Sequence, residues 1–286
     1  MADLSRGLPG QAPLSLIEPP LPDLRHGVVG RNQEALGWLS AWIGRDRPGV
    51  HPGGHHDLGP VGGPQAPASL LLWGVTGSGK SFWLEAWASE IPGQRIFDLQ
   101  NATQTGDLIA SIASVQGNCS AESIARNTDG RPSPTAALWL IDNIDAASAE
   151  AQQALFALFV LMQQTFGPTR QRLVATAQAA PHQLINRLRE DLRTRLSQGL
   201  VFELHELDDQ EKLQALRERA FRLGWMSAPI ASDYDHLFGY MLARLPRQLG
   251  RLMRLLEALD ARALALKRPV SLPLMRSLLE ENLALF

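Results

Sequence analysis

A single cysteine, Cys119, among 286 residues rules out an intramolecular disulfide and fits a reducing compartment. A lone thiol needs an activating partner to act as a nucleophile, and no histidine lies near it in sequence, so Cys119 reads as an inert small residue. Long apolar runs are also missing. The longest, Ala154 to Met162, is far short of the roughly twenty residues that cross a bilayer. The N-terminus carries acid at Asp3 and has no apolar stretch of signal length. These absences predict a cytoplasmic protein with no membrane partner. Nor is there a surplus of one charge: 27 basic and 29 acidic side chains leave a net −2, so no overall field draws the chain to nucleic acid.

What the chain does have is core material, 45% hydrophobic residues against 20% charged, the balance of a folded domain. Residues 1–26 hold Pro9, Pro13, Pro19, Pro20 and Pro22, which remove backbone donors and predict an extended tail. Ala35, Leu36, Leu39, Trp42 and Ile43 recur at helical spacing from Asn32 onward. Residues 44–68, dense in Gly and Pro, predict a flexible insertion. His51, His55, His56 and Asp57 within it make a poorly preorganised metal site. Five apolar runs then alternate with helical segments: Ser69 to Trp73, Gln94 to Leu99, Ala136 to Ile141, Arg172 to Thr176 and Leu200 to Leu204. Near-continuous apolar strands separated by helices predict a five-stranded parallel sheet covered on both faces. From Leu207 the pattern turns wholly helical, with a first helix closed by Gly224 and others over Asp233–Leu242, Pro246–Ala265 and Leu272–Leu283. The expected organisation is a tail (1–26), an α/β nucleotide-binding domain (27–206) and a small all-helical domain (207–286).

Between the first strand and a helix-forming run lies "GVTGSGKS", residues 74–81, a complete G-x-x-x-x-G-K-[ST] phosphate loop. Gly74, Gly77 and Gly79 let the backbone wrap a phosphate, so the N–H groups of Val75, Thr76 and Ser78 join the positive end of the following helix. Lys80 is placed for the β- and γ-phosphates and Ser81 for Mg2+. "LWLIDNID", residues 138–145, ends a strand at Asp142, where ligands gather in open α/β sheets, making Asp142 the partner of Ser81 for the metal. Asn143 follows. An amide cannot take a proton, so roughly 10²- to 10⁴-fold of general-base assistance is missing. If the strand continued, Asp145 would share the side of Asn143 but lie about 6.6 Å further along.

These motifs, with "HGVVGRNQEAL" (26–36), "RLVATAQAAPHQL" (172–184), "DLRTRLSQGLVFEL" (191–204) and "RPVSLPLMRSLL" (268–279), follow one another as in the DnaA-related AAA+ family. The chain resembles most the Hda-type regulatory inactivators of that family. The resemblance implies an AAA+ base with a helical lid, binding ADP or ATP with Mg2+. It implies that Arg195, or Arg193 beside it, is an arginine finger given in trans to a neighbour's nucleotide, and that Arg247 is the lid arginine over the chain's own nucleotide. Gln178 falls at the polar sensor position after Thr176. In "QAPLSL", Gln11, Leu14 and Leu16 match a peptide that binds the sliding clamp. The sequence stops at Phe286, where DnaA continues into a DNA-binding domain, so no sequence-specific DNA contact is expected. The implied function is negative regulation of replication initiation, by promoting hydrolysis of DnaA-bound ATP at the DNA-loaded clamp, with little intrinsic ATPase. An autonomous ATPase that loads or remodels a helicase is the alternative, and homo-oligomerisation stays open.

Overall fold

The structure, a computed structural model, describes residues 27–43, 67–91, 94–118, 138–164, 171–228 and 230–281; the side chains of 40–43 and 117–118 lie outside that description. The tail residues Gln11, Leu14 and Leu16, the histidines of the insertion and Cys119 fall outside it. The chain divides between Asp208 and Asp209 into two compact units.

The first unit is an α/β layer structure. In chain order it contains α1 (Gln33–Ile43), β1 (Ser69–Trp73), α2 (Lys80–Ser89), β2 (Ile96–Asp98), α3 (Ala102–Asn118), β3 (Leu138–Asp142), α4 (Ala149–Gln164), β4 (Arg172–Ala177), α5 (Glu190–Ser197) and β5 (Leu200–Glu203). The strands form one parallel sheet in the order β2-β3-β4-β1-β5. Successive side chains on a strand face opposite ways, and each face has its own core. Leu71, Trp139, Ile141, Leu173 and Ala175 meet Leu108 and Ile112 of α3, Leu155 and Leu158 of α4, and Leu192 and Leu196 of α5. On the other face Leu70, Leu72, Leu140 and Val174 meet Leu36 and Leu39 of α1 and Trp83, Leu84 and Trp87 of α2. Gly27 lies so close to Trp83 that an added Cβ would come within 2.1 Å of the indole.

β2 (Ile96–Asp98) stops one residue before the end of its apolar run because Asp98 turns the chain: its Oδ1 accepts the Gln100 N–H at 3.0 Å. β3 extends one residue beyond its run, since Asp142 still pairs with Asp98 across the sheet. There the strand stops. Asn143 adopts φ +54° and ψ +51°, and Ile144–Ala146 form a short 3-10 helix, so the continuation that would put Asp145 beside Asn143 does not occur. Left-handed geometry is costly for most L-residues, and asparagine is one of the few that tolerate it.

The second unit is all helical: α6 (Asp209–Arg222), α7 (Asp235–Arg244), α8 (Leu249–Leu266) and α9 (Leu272–Glu281). Leu216 and Ala220, Leu237, Phe238 and Met241, Leu252, Leu255, Leu256 and Leu259, and Met275 and Leu278 form its core. Gly224, at φ +79°, closes α6, with the Trp225 N–H bonded to the Ala220 carbonyl at 3.0 Å. Pro246 does not start α8. Residues 246–248 are non-helical and α8 begins at Leu249 after Gln248 in extended geometry. Among the described residues no helix is long and apolar enough to cross a membrane.

Candidate functional site

The turn from β1 into α2 is built by backbone geometry before any side chain matters. Gly77 and Gly79 take φ +97° and +93°, a region open to glycine at little cost. Gly74 sits where a Cβ would come 2.4 Å from the Leu204 carbonyl oxygen and 2.8 Å from Ser78 Oγ. The result is a tight loop at the carboxyl end of β1 that opens onto the N-terminus of α2, with Val75, Thr76 and Gly77 exposed and Ser78 buried.

Two polar side chains lie buried at the loop. Ser78 Oγ is buried without a hydrogen-bond partner among the described residues, and an orphan of this kind costs roughly 1–3 kcal/mol. Lys80, buried, folds its Nζ back to donate to the carbonyls of Gly74 at 2.6 Å and Val75 at 2.9 Å. Burial pulls the Lys80 ammonium below its ordinary pKa, a shift opposed in part by the charges of Asp142 and Asp145. A phosphate fits both: it gives the amine an anion to neutralise and the hydroxyl an acceptor, at the positive end of a helix.

The neighbouring strands supply the rest. Ser81 Oγ donates to Asp142 Oδ2 at 2.7 Å, and Thr176 Oγ1 on β4 donates to Asp142 Oδ1. Thr176, wholly buried, also accepts the Asn143 N–H at 2.9 Å. The Asn143 side chain reaches the neighbouring strand, its Nδ2 donating to Asp98 Oδ1 at 2.9 Å. β2, β3 and β4 are thus tied at their carboxyl ends through two carboxylates, one hydroxyl and one asparagine. Glu85, one turn after Ser81, has its carboxyl pushed above its ordinary value by burial and by the charge of Asp142. Among the described residues no group of three His, Cys, Asp or Glu could hold a metal unaided. Ser81 and Asp142 suit magnesium, which takes one or two protein oxygens together with phosphate oxygens.

The fold is shared with known proteins. The fold is similar to domain III of the Thermotoga maritima replication initiation protein DnaA (16% identity, 92% of this chain and 98% of that one, TM-score 0.59). It is also similar to AMPPCP-bound DnaA from Aquifex aeolicus (15%, 86% and 69%, TM-score 0.51) and to a Thermotoga maritima RuvB variant (17%, 88% and 69%, TM-score 0.51). These likenesses show the AAA+ fold, a five-stranded parallel α/β base with a helical lid. Residues 209–279, nearly all of the helical unit, match the family model "Hda, lid domain". The helical unit thus matches the Hda lid-domain family, and the chain shares its fold with DnaA domain III.

The residues singled out by sequence fall in separate places. Gly74 to Ser81 and Asp142 come together as described. Gln178, past the end of β4, is exposed, and its backbone N–H donates to Asp145 Oδ1 at 3.2 Å; the polar side chain that reaches Asp142 is Thr176. Asp145 is buried and paired with Arg187 at 2.8 Å. Arg247 lies in the non-helical stretch before α8, more than half exposed, with Nη1 3.3 Å from Asp209 Oδ2, a pair worth at most about 1 kcal/mol and easily exchanged. Arg195, on the last turn of α5, makes no ion pair among the described residues. It lines an open hollow of about 680 Å3 with Phe156, Arg189, Asp191 and Gln198. Arg193, like Arg195, is partly buried, and its Nε is buried without a hydrogen-bond partner among the described residues. Sequence reasoning missed Asp98 as the acceptor for Asn143 and gave Thr176 no role. The only sequence signal for either was its position at the end of an apolar run.

Proposed function

We propose that this protein is a nucleotide-bound regulator of replication initiation rather than a motor, acting on the ATP held by DnaA. The observation that carries the reading is Asn143: the position where a motor would hold a carboxylate is an amide, and that amide is engaged in tying β3 to Asp98. Gly74, Val75, Thr76, Gly77, Ser78, Gly79, Lys80 and Ser81 would hold ADP or ATP, with Ser81 and Asp142 holding Mg2+ and Arg247 contributing from the lid. The bound nucleotide supplies phosphate charge that satisfies Lys80 and Ser78, a structural service needing no turnover. Gln11, Leu14 and Leu16 would enter the sliding clamp as an extended peptide, raising the local concentration of the chain beside DnaA on replicating DNA. Arg195 would then complete the ATP site of DnaA. A guanidinium supplied in trans accelerates phosphoryl transfer by roughly 10³- to 10⁵-fold.

The test compares ATP turnover by the purified full chain alone with turnover in a mixture containing DnaA, sliding clamp and DNA. The expected result is slow hydrolysis alone and fast hydrolysis in the mixture. Arg195→Ala should abolish the acceleration, and a Gln11→Ala, Leu14→Ala, Leu16→Ala variant should lose retention on the clamp. Fast hydrolysis by the chain alone, unaffected by Arg195→Ala, would establish the motor reading instead.

A further inference from the structure

Arg195 owes its position to a stretch with little regular structure of its own. Residues 184–189 link the short helix Pro181–Gln183 to α5, and two polar side chains from elsewhere hold them. Gln152 on α4 is 8% exposed. Its Nε2 donates to the carbonyls of Arg187 at 2.9 Å and Ala147 at 3.0 Å, and its Oε1 accepts the Arg189 N–H at 3.0 Å. The carboxamide therefore pairs with residues on either side of Leu188 as a neighbouring strand would, with both of its donor hydrogens used. Asp145, its side chain 2% exposed, accepts from Arg187 Nη1 at 2.8 Å and from the Gln178 N–H at 3.2 Å. Leu184, Leu188, Leu192 and Leu196, all buried, decide which side of this segment faces the core. Apolar packing is non-directional, so the tilt and axial placement of α5 fall to the polar contacts.

We propose that Gln152, with Asp145, is a positioning residue for Arg195, fixing the start of α5 so that the guanidinium is presented in trans at one place. This inference rests on the trans-arginine reading above. From Arg189 to Arg195 the helix rises about 9 Å. A tilt of about 10° at the anchored end would move Arg195 by roughly 1.5 Å, and a misplacement of about 1 Å costs on the order of 10²-fold where orientation carries the rate.

Gln152→Met keeps the volume of the side chain and removes every hydrogen bond it makes. In the mixture used above, the full-length variant should lose about 10- to 100-fold in stimulated hydrolysis at saturating concentration. Its half-saturating concentration and its own nucleotide affinity should stay within about twofold of the parent, because no contact to either ligand is removed. In an Arg195→Ala background Gln152→Met should cause no further loss, since it acts through that arginine. Amide hydrogen exchange over residues 189–193 should quicken at least about tenfold while α2 is unchanged. Should Gln152→Met not fold, Arg187→Gln, at a side chain 55% exposed, breaks the Asp145 arm alone and should shift both readouts the same way. Unchanged exchange over 189–193, or a further loss of rate on top of Arg195→Ala, overturns the proposal. If Arg195→Ala hydrolyses at the parent rate, the trans-arginine reading falls and the role of Gln152 falls with it, whereas altered exchange with an active Arg195 separates the two.

Discussion

Restoring a carboxylate with Asn143→Glu is the obvious way to try to turn this protein into a faster ATPase, and the structure predicts that it costs stability without bringing turnover. Asn143 sits at φ +54°, ψ +51°, where a residue without asparagine's tolerance loses roughly 1–2 kcal/mol. Its Nδ2 donates to Asp98 Oδ1 at 2.9 Å, and glutamate cannot donate, so that contact is lost at about 1–3 kcal/mol. A second carboxylate beside Asp98 adds repulsion of the same sign. Together these give about 2–5 kcal/mol, or a fall of roughly 5–15 °C in the melting temperature of a domain of this size. The assay is thermal and urea unfolding of the full chain, with intrinsic ATP hydrolysis measured on the same samples. Two companions separate the contributions. Asn143→Gly loses the hydrogen bond but keeps the left-handed geometry freely, and Asn143→Ala loses both, so Ala should be less stable than Gly by about 1 kcal/mol. An Asn143→Glu protein that melts at the parent temperature and hydrolyses ATP 10²- to 10⁴-fold faster, the range for general-base help, would refute the reasoning; so would Gly and Ala variants of equal stability.

Other consequences of the site are directly measurable. Thr176→Val removes the hydroxyl that donates to Asp142 and accepts from Asn143; urea unfolding should show a loss of about 1–3 kcal/mol, most of it restored by Thr176→Ser. Gly74→Ala places a methyl 2.4 Å from the Leu204 carbonyl, an overpacking of about 1–3 kcal/mol, and calorimetric titration should show weakened nucleotide binding. The raised Glu85 carboxyl means the folded chain holds that proton more tightly than the unfolded chain, so stability falls as pH climbs from about 4.5, its ordinary value, through the raised one. Glu85→Gln should flatten that part of the stability profile and be more stable than the parent at pH 7, and an unaltered slope would remove Glu85 as its source.

The sheet was legible because its strands are buried on both faces and so read as unbroken apolar runs; Ser69–Trp73 matches its run at both ends. The phosphate loop was legible because its chemistry is local, with glycines, lysine and serine all within eight residues of sequence. What could not be read depends on contacts across the fold. Whether β3 stopped at Asp142 or ran on to Asp145 turned on the backbone of Asn143, and the residue type alone allowed either. Thr176 and Gln178 are both polar and two apart, and only the pairing of β3 with β4 shows which one reaches Asp142. Gln152 sits within the 16-residue helix α4 with nothing beside it in sequence to mark it. Its partners in the segment leading into α5 are 35 and 37 residues away. Pro246 suits a first helical position, but the helix starts three residues later, at Leu249.

The crowding around Trp83 has an optical side. Its ring is wedged against Gly27 and lies 3.5 Å from where a Cβ of Gly79, the last glycine of the phosphate loop, would stand. Any change in that loop alters the surroundings of a fluorophore the chain already carries. Replacing the other six of its seven tryptophans with phenylalanine would leave one emitter at the edge of the phosphate cradle, so that its filling could be timed in the unlabelled protein by emission alone.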